Sequence, residues 1–177
     1  MEISKKIFTQ HFKTSYGELI IGEYSKQICL CDWYYRKQRK IIDDRICTKL
    51  KTHYELKNTP LIAETIKQLK EYFCKKRIEF EIPLLFIGTE FQQIVWQELI
   101  KISYGQTANY LEIAQKIGNP KAFRAVANAN GANAISIIVP CHRVIGKNNL
   151  AGYAGGINTK ESLLKLESEQ LFSTCDA

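Results

Sequence analysis

The run Pro140-Cys141-His142-Arg143-Val144 sets a thiol beside an imidazole and a guanidinium. A thiol attacks carbon only as the thiolate, and a neighbouring cation or imidazole lowers its pKa. His142 and Arg143 supply that setting. The apolar run ISIIV just before reads as a strand that buries its own length and delivers its last residues to an edge, placing Cys141 in the floor of a pocket. Neighbouring side chains on an extended chain point to opposite sides, so His142 would not face Cys141 directly. A bridging water, or a turn at the motif, would then have to carry the proton. A carboxylate behind the histidine would fix its tautomer, and Glu167 on the last helix is a candidate. A cysteine at a strand end is also an ordinary core position, so the surrounding elements must decide.

Other chemistries find less support. None of the six cysteines forms a CxxC pair, and with no secretory signal no disulfide framework is expected. His11, Cys29, Cys31 and His53 could be gathered around a metal on paper, but their spacing matches no fingerprint, and no metal is expected. No glycine-rich nucleotide fingerprint is present, so no bound cofactor is implied. The start has no apolar h-region and no run nears the roughly 18 apolar residues of a membrane span. These features lead us to expect a cytoplasmic protein (nuclear if the source is a eukaryote) without membrane contact.

With 177 residues, 45% of them hydrophobic and 24% charged, the chain can bury a core. Its net charge of +7 suggests an acidic partner. Residues 1–87 carry 17 basic and 11 acidic side chains, and residues 88–177 carry 8 and 7. The surplus includes the stretch from Arg36 to Lys40, read as solvated surface. No Asp or Glu occurs between Glu112 and Glu161, a window holding Lys116, Lys121, Arg124, Arg143, Lys147 and Lys160. Spaced cations without acids suit a phosphate backbone.

These candidates need elements to position them. YGELIIG and ICLCDWYY, broken by polar SKQ, read as a β-ribbon. Leu61, Ile62, Ile66, Leu69 and Phe73 recur at helical spacing over residues 59–73. RIEFEIPLLFIG reads as a strand and connection, with a boundary near Gly88. Thr89 and Gln92 make a capping box for a helix through about Ile102. A second helix runs from about Asn109 to Ile117 and is ended by Gly118. Asn119-Pro120 then provides an N-cap and a first-turn proline for a short alanine-rich helix. Two short helices joined by a Gly-Asn-Pro turn read as helix-turn-helix, although packing hairpins look alike. A last amphipathic helix spans about Asn158 to Leu171.

Taken together these motifs resemble the O6-alkylguanine-DNA alkyltransferases, the methylated-DNA–protein-cysteine methyltransferase family, whose active-site motif is PCHRV. The resemblance covers nearly the whole chain. It is strongest from Gly88-Thr89-Glu90-Phe91 through Tyr104-Gly105, Tyr110, Gly118 to Ala122, Arg124-Ala125-Val126 and PCHRV to Gly152 through Gly156 and Lys160. It implies an α/β (α+β) fold with a small ribonuclease H-like domain of β-ribbon and helix at 1–87. A mostly helical, winged helix-turn-helix-like DNA-binding domain at 88–177 would carry the cysteine.

The implied activity is direct-reversal repair, with irreversible single-turnover transfer of a methyl or other alkyl group from O6-alkylguanine to Cys141. O4-alkylthymine is a second candidate substrate. The resemblance makes His142 a base acting through water and oriented by Glu167, and Asn133 the hinge between recognition helix and active-site strand. Tyr110 helps rotate the base out and contacts it, and Arg124 fills the gap that it leaves. Asn119, Lys121 and Lys147 join Arg124 and Tyr110 in contacting DNA, while Val144, Tyr153, Ala154 and Gly155 line the substrate pocket. The implied partner of this monomer is double-stranded DNA, entered through the minor groove, where readout is nearly sequence-blind. Two departures stand out. The hinge is Ala132-Asn133-Ala134 where most relatives have a basic residue, Asn and Pro, which implies a lost phosphate contact and a less stiff hinge. Position 136 is Ser where many have an apolar residue.

Two rivals come from other classes. A cysteine hydrolase would pair Cys141 with a histidine remote in sequence, and only His11 and His53 are remote. A regulator or damage sensor would bind DNA without chemistry. Some relatives that only bind replace the cysteine, and this chain keeps it.

Overall fold

The structure is a computed structural model, in which residues 6–168 are described. It opens with three strands, β1 (Ile7–Thr14), β2 (Gly17–Tyr24) and β3 (Gln27–Trp33). Ser25 and Lys26 both take positive φ in the two-residue turn between β2 and β3, matching the right-handed twist of the strands. The helix α1 (Arg39–Leu50) follows, then the short β4 (Tyr54–Leu56) and α2 (Pro60–Phe73). The Thr59 side chain accepts from Ile62 N and Pro60 fills the first turn of α2, as its sequence requires. The sheet order is β3-β2-β1-β4, with β4 parallel to β1 and the other pairings antiparallel.

Strand β3 is an edge, and a bare edge invites unwanted pairing. Two later segments cover it. Ile28 exchanges backbone bonds with Pro83 O and Leu85 N, and Cys31 exchanges them with Ala134 O and Ser136 N. The second contact matters for function, because it docks the chain just ahead of Cys141 onto the N-terminal sheet.

The second half is built from α3 (Glu90–Ile100), β5 (Ala108–Asn109), α4 (Tyr110–Lys116), α5 (Phe123–Gly131), β6 (Val144–Ile145) and α6 (Ile157–Ser168). The Thr89–Gln92 capping box starts α3, and a second box between Asn109 and Glu112 starts α4. Gly118, at φ +76°, lets the chain leave α4, and a 3-10 turn at Pro120–Ala122 leads into α5. The helix-turn-helix is therefore present. Asn119 makes no side-chain cap bond, contrary to its sequence reading.

Buried Leu19, Ile21, Ile62 and Leu69 pack in one hydrophobic cluster with Val95, Leu99, Val126, Val144 and Leu163, so the two halves share a core across Gly88. Three sequence readings need correction. Residues 77–88 form no strand, only a bridge from Leu84 to Ile28; Pro83 has no N–H to donate to a ladder. The strand β1 and the helix α1 were not anticipated. The run ISIIV is not a strand but a tight turn, closed by bonds from Ile138 N to Ser136 O and from Val139 N to Ile135 O. Leu171, the proposed end of the last helix, lies outside the described residues.

Candidate active site

The turn explains how Cys141 is presented. Ile137 sits at φ +72°, a conformation that costs a β-branched residue of order 1–3 kcal/mol and persists only where surroundings impose it. Asn133 does much of the imposing. Its Nδ2 donates to Val139 O at 3.0 Å and to Ile135 O at 3.3 Å, and its Oδ1 accepts from Ile135 N at 2.9 Å. Side-chain bonds from Asn133 thus tie this segment to the turn that follows it. Cys141, His142 and Arg143 then form a 3-10 turn rather than extended chain, so strict alternation of side chains does not apply.

The three residues of that turn are all buried. His142 Nε2 lies 2.7 Å from Glu167 Oε1. Tyr72 from α2 donates to the same oxygen at 2.7 Å, Arg143 donates to both oxygens at 2.9 and 3.0 Å, and Gly105 N donates to Oε2 at 3.2 Å. Burial alone would push the Glu167 carboxyl up, but the His142 and Arg143 donors outweigh it and hold it down at about 2. Burial pulls His142 below its ordinary value, with Glu167 opposing, so the imidazole is neutral near pH 7. Its Nδ1 has no hydrogen-bond partner among the described residues.

Cys141 is held above the ordinary thiol value, chiefly by burial and also by Asp32, while a hydrogen bond from Asn133 and the charges of Arg36 and Lys160 pull it down. It therefore waits as a thiol and needs a base. Cys141 lines a cavity of about 700 Å³ with Tyr110 and Asn130 on one side and Tyr153, Ala154 and Gly155 on another. The third wall, Tyr35 and Arg36, comes from the N-terminal half. Trp33 Nε1 donates to the Tyr153 hydroxyl at 2.9 Å. A Cβ on Gly155 would fall 2.7 Å from Trp33 Nε1, so only glycine lets that loop close on the tryptophan.

Arg124, Asn119, Lys121 and Lys147 are all exposed, and Arg124 stacks over Phe123 at 5.6 Å. Of the other predicted residues, Tyr110, Cys141, Tyr153, Ala154 and Gly155 line the cavity. Asn133, His142 and Glu167 are buried and do not line it, and Val144 does not reach it. Its side chain is in the core, and its carbonyl accepts from Lys160 Nζ at 2.5 Å. Arg143 and Lys160 were grouped with phosphate-facing cations, but both are buried with internal partners. Burial brings Lys160 down to about 8. Sequence reasoning missed Asp32, Trp33, Tyr72 and Asn130. A buried aspartate between apolar strand residues, in LCDW, was the one available signal.

Residues 90–169 match the family described as 6-O-methylguanine DNA methyltransferase, DNA binding domain. A constitutive methylated-DNA–protein-cysteine methyltransferase of Bacillus subtilis is 45% identical over 157 residues, covering 88% of this chain and 92% of that protein. A methylated-DNA–protein-cysteine methyltransferase of Mycobacterium leprae is 53% identical over 113 residues, covering 63% and 68%. Among solved structures, Mycobacterium tuberculosis OGT in complex with DNA superposes with a TM-score of 0.76 at 37% identity, covering 92% of both chains.

Proposed function

The chain belongs to the methylated-DNA–protein-cysteine methyltransferase family, and from that premise we propose that it repairs DNA by moving an alkyl group from O6-alkylguanine to Cys141. The observation that carries this reading is the burial of Cys141 in a cavity floor beside a histidine locked to a buried glutamate. Neutral His142 accepts the thiol proton, directly or through a water, on the nitrogen that Glu167 leaves free. The thiolate attacks the alkyl carbon, the carbon–O6 bond breaks, and guanine leaves with the electron pair and recovers a proton.

The product is a thioether. An acyl-enzyme offers water a carbonyl, and hydrolases depend on that second step. A thioether offers none, so each molecule reacts once. The hydrolase reading is also disfavoured by position: His11 pairs with Glu18 on β1 and β2, away from the cavity.

Residues 88–177 are assigned to DNA binding and transfer, and residues 1–87 to support. The helix-turn-helix enters the minor groove, Tyr110 and Arg124 act on the rotated base and the gap it leaves, and Asn119, Lys121 and Lys147 meet phosphates. Tyr153, Ala154 and Gly155 hold the flipped base. The protein acts as a monomer. Exposure of the four DNA-facing side chains supports this arrangement. Incubation with duplex DNA carrying a labelled O6-methylguanine tests it: the label moves to the protein, and a label that stays on DNA defeats the reading.

A further inference from the structure

The reacting motif lies in the second half of the chain, yet a buried charged network from the first half fastens it. Asp32, at the end of β3, is fully buried. Its Oδ1 accepts from the Ser136 hydroxyl at 3.0 Å and from Trp33 N at 2.9 Å. Its Oδ2 accepts from Arg36 Nη1 at 2.6 Å and from Arg39 Nη1 at 3.2 Å. Arg36, buried as well, reaches on to Asn133 O at 2.9 Å and Gly131 O at 2.6 Å. Arg45 from α1 donates to Ala132 O between them at 2.8 Å. Three successive carbonyls at the end of α5 thus have guanidinium donors from the N-terminal half.

Helix C-termini leave carbonyls unpaired and favour cations there. Stability alone is a weak reason for the arrangement, because buried ion pairs roughly cancel against desolvation and apolar replacements often do as well. Position is the better reason. One aspartate ties the turn before Cys141, through Ser136, to the arginine that holds the end of α5. The helix that meets DNA and the turn that carries the thiol are thereby referred to one fixed point. The Ser136 hydroxyl finds in Asp32 a partner that an apolar side chain at this position could not engage.

We propose that Asp32 and Arg36 are positioning residues for alkyl transfer, fixing the distance and angle between the recognition helix α5 and the Cys141 turn. The proposal rests on Cys141 being the alkyl acceptor. A sub-ångström displacement of the sulfur relative to a base held by α5 costs rate without costing DNA affinity, because near-attack geometry is steep in distance.

The test uses the full-length chain as wild type, Asp32→Asn, Arg36→Met and Ser136→Ala. Transfer is measured under single-turnover conditions on duplex DNA with labelled O6-methylguanine, and affinity on undamaged duplex. Thermal unfolding is followed in parallel. Asp32→Asn and Arg36→Met should slow transfer by roughly tenfold to a hundredfold, with undamaged-duplex affinity little changed. Ser136→Ala, which strands no charge, should slow it several-fold with an unfolding midpoint near wild type.

A second readout separates positioning from mere stability: the pH dependence of Cys141 alkylation by iodoacetamide. The groups facing the thiol are Asp32, Arg36, Asn133, Tyr110, Tyr153, Lys160 and the adjoining His142. Removing the Asp32 charge should move the profile to lower pH and removing Arg36 to higher pH. Loss of stability alone gives no such opposite pair. Wild-type transfer rates in all three variants would overturn the proposal, as would lowered unfolding midpoints with unmoved transfer and pH profiles. If Asp32→Asn does not fold, Ser136→Ala decides. If wild type itself transfers no label, the Cys141 reading fails first, and the two failures are told apart.

Discussion

His142 Nε2 and Glu167 Oε1 lie 2.7 Å apart where neither side chain meets solvent, and in the proposed mechanism this pair leaves Nδ1 to take the thiol proton. Glu167→Gln keeps the shape and removes the charge that favours a protonated imidazole. Transfer should slow by roughly the 10²–10⁴-fold of general-base loss, while affinity for alkylated DNA holds. Equal single-turnover rates in mutant and wild type would remove Glu167 from the mechanism.

The same pair predicts two pH effects. His142 lies below its ordinary 6.5, so transfer should hold as pH falls through 6.5 and decline only further down, as the imidazole protonates. Glu167 titrates near 4.5 when unfolded and at about 2 in the fold. Its contribution is present above 4.5 and is lost as pH falls from there through 2, about 3 kcal/mol in all. Urea unfolding at neutral pH and at pH values down to about 2 should show that loss in wild type and not in Glu167→Gln.

Arg124 is exposed on α5, where an inserted side chain can recover part of the few kcal/mol that an extrahelical base costs. Arg124→Ala should impair repair in duplex DNA far more than reaction with free O6-alkylguanine, which requires no flipping. Equal slowing on both substrates would place Arg124 outside base rotation.

Asn133 supports the strained turn through both ends of its amide. Asn133→Ala should lower stability by about 1–3 kcal/mol through orphaned buried carbonyls and amide. It should also slow transfer, since the thiol loses a hydrogen bond that favours its ionised form. Unfolding and single-turnover rates measured on one preparation check both effects. A destabilised variant with an unchanged rate would limit Asn133 to structure.

Much of the site was legible because its chemistry is local in sequence. PCHRV, the capping box of Thr89 and Gln92, and the helix-ending Gly118 each act within a few residues. The turn at Ile137 was not legible, because four β-branched residues in ISIIV have strand propensity and only tertiary bonds from Asn133 and β3 override it. Arg36 was read as solvated because a basic run usually is. Its burial depends on Asp32, four residues back, and on carbonyls about a hundred residues ahead. The helix α1 hid for a related reason: it buries only Ile42 and Ile46, too few for an apolar stripe, and draws on pairs such as Arg39–Asp43.

An acceptor cysteine that keeps its alkyl group as a thioether reacts once. The most direct measurement gives the protein a large excess of duplex DNA containing O6-methylguanine and counts product per active molecule, followed by mass analysis of the peptide holding Cys141. Product should rise to one equivalent and stop, with a single methyl on Cys141, and Cys141→Ser should bind DNA and transfer nothing. Sustained release of many equivalents, or a methyl on another residue, would contradict the account.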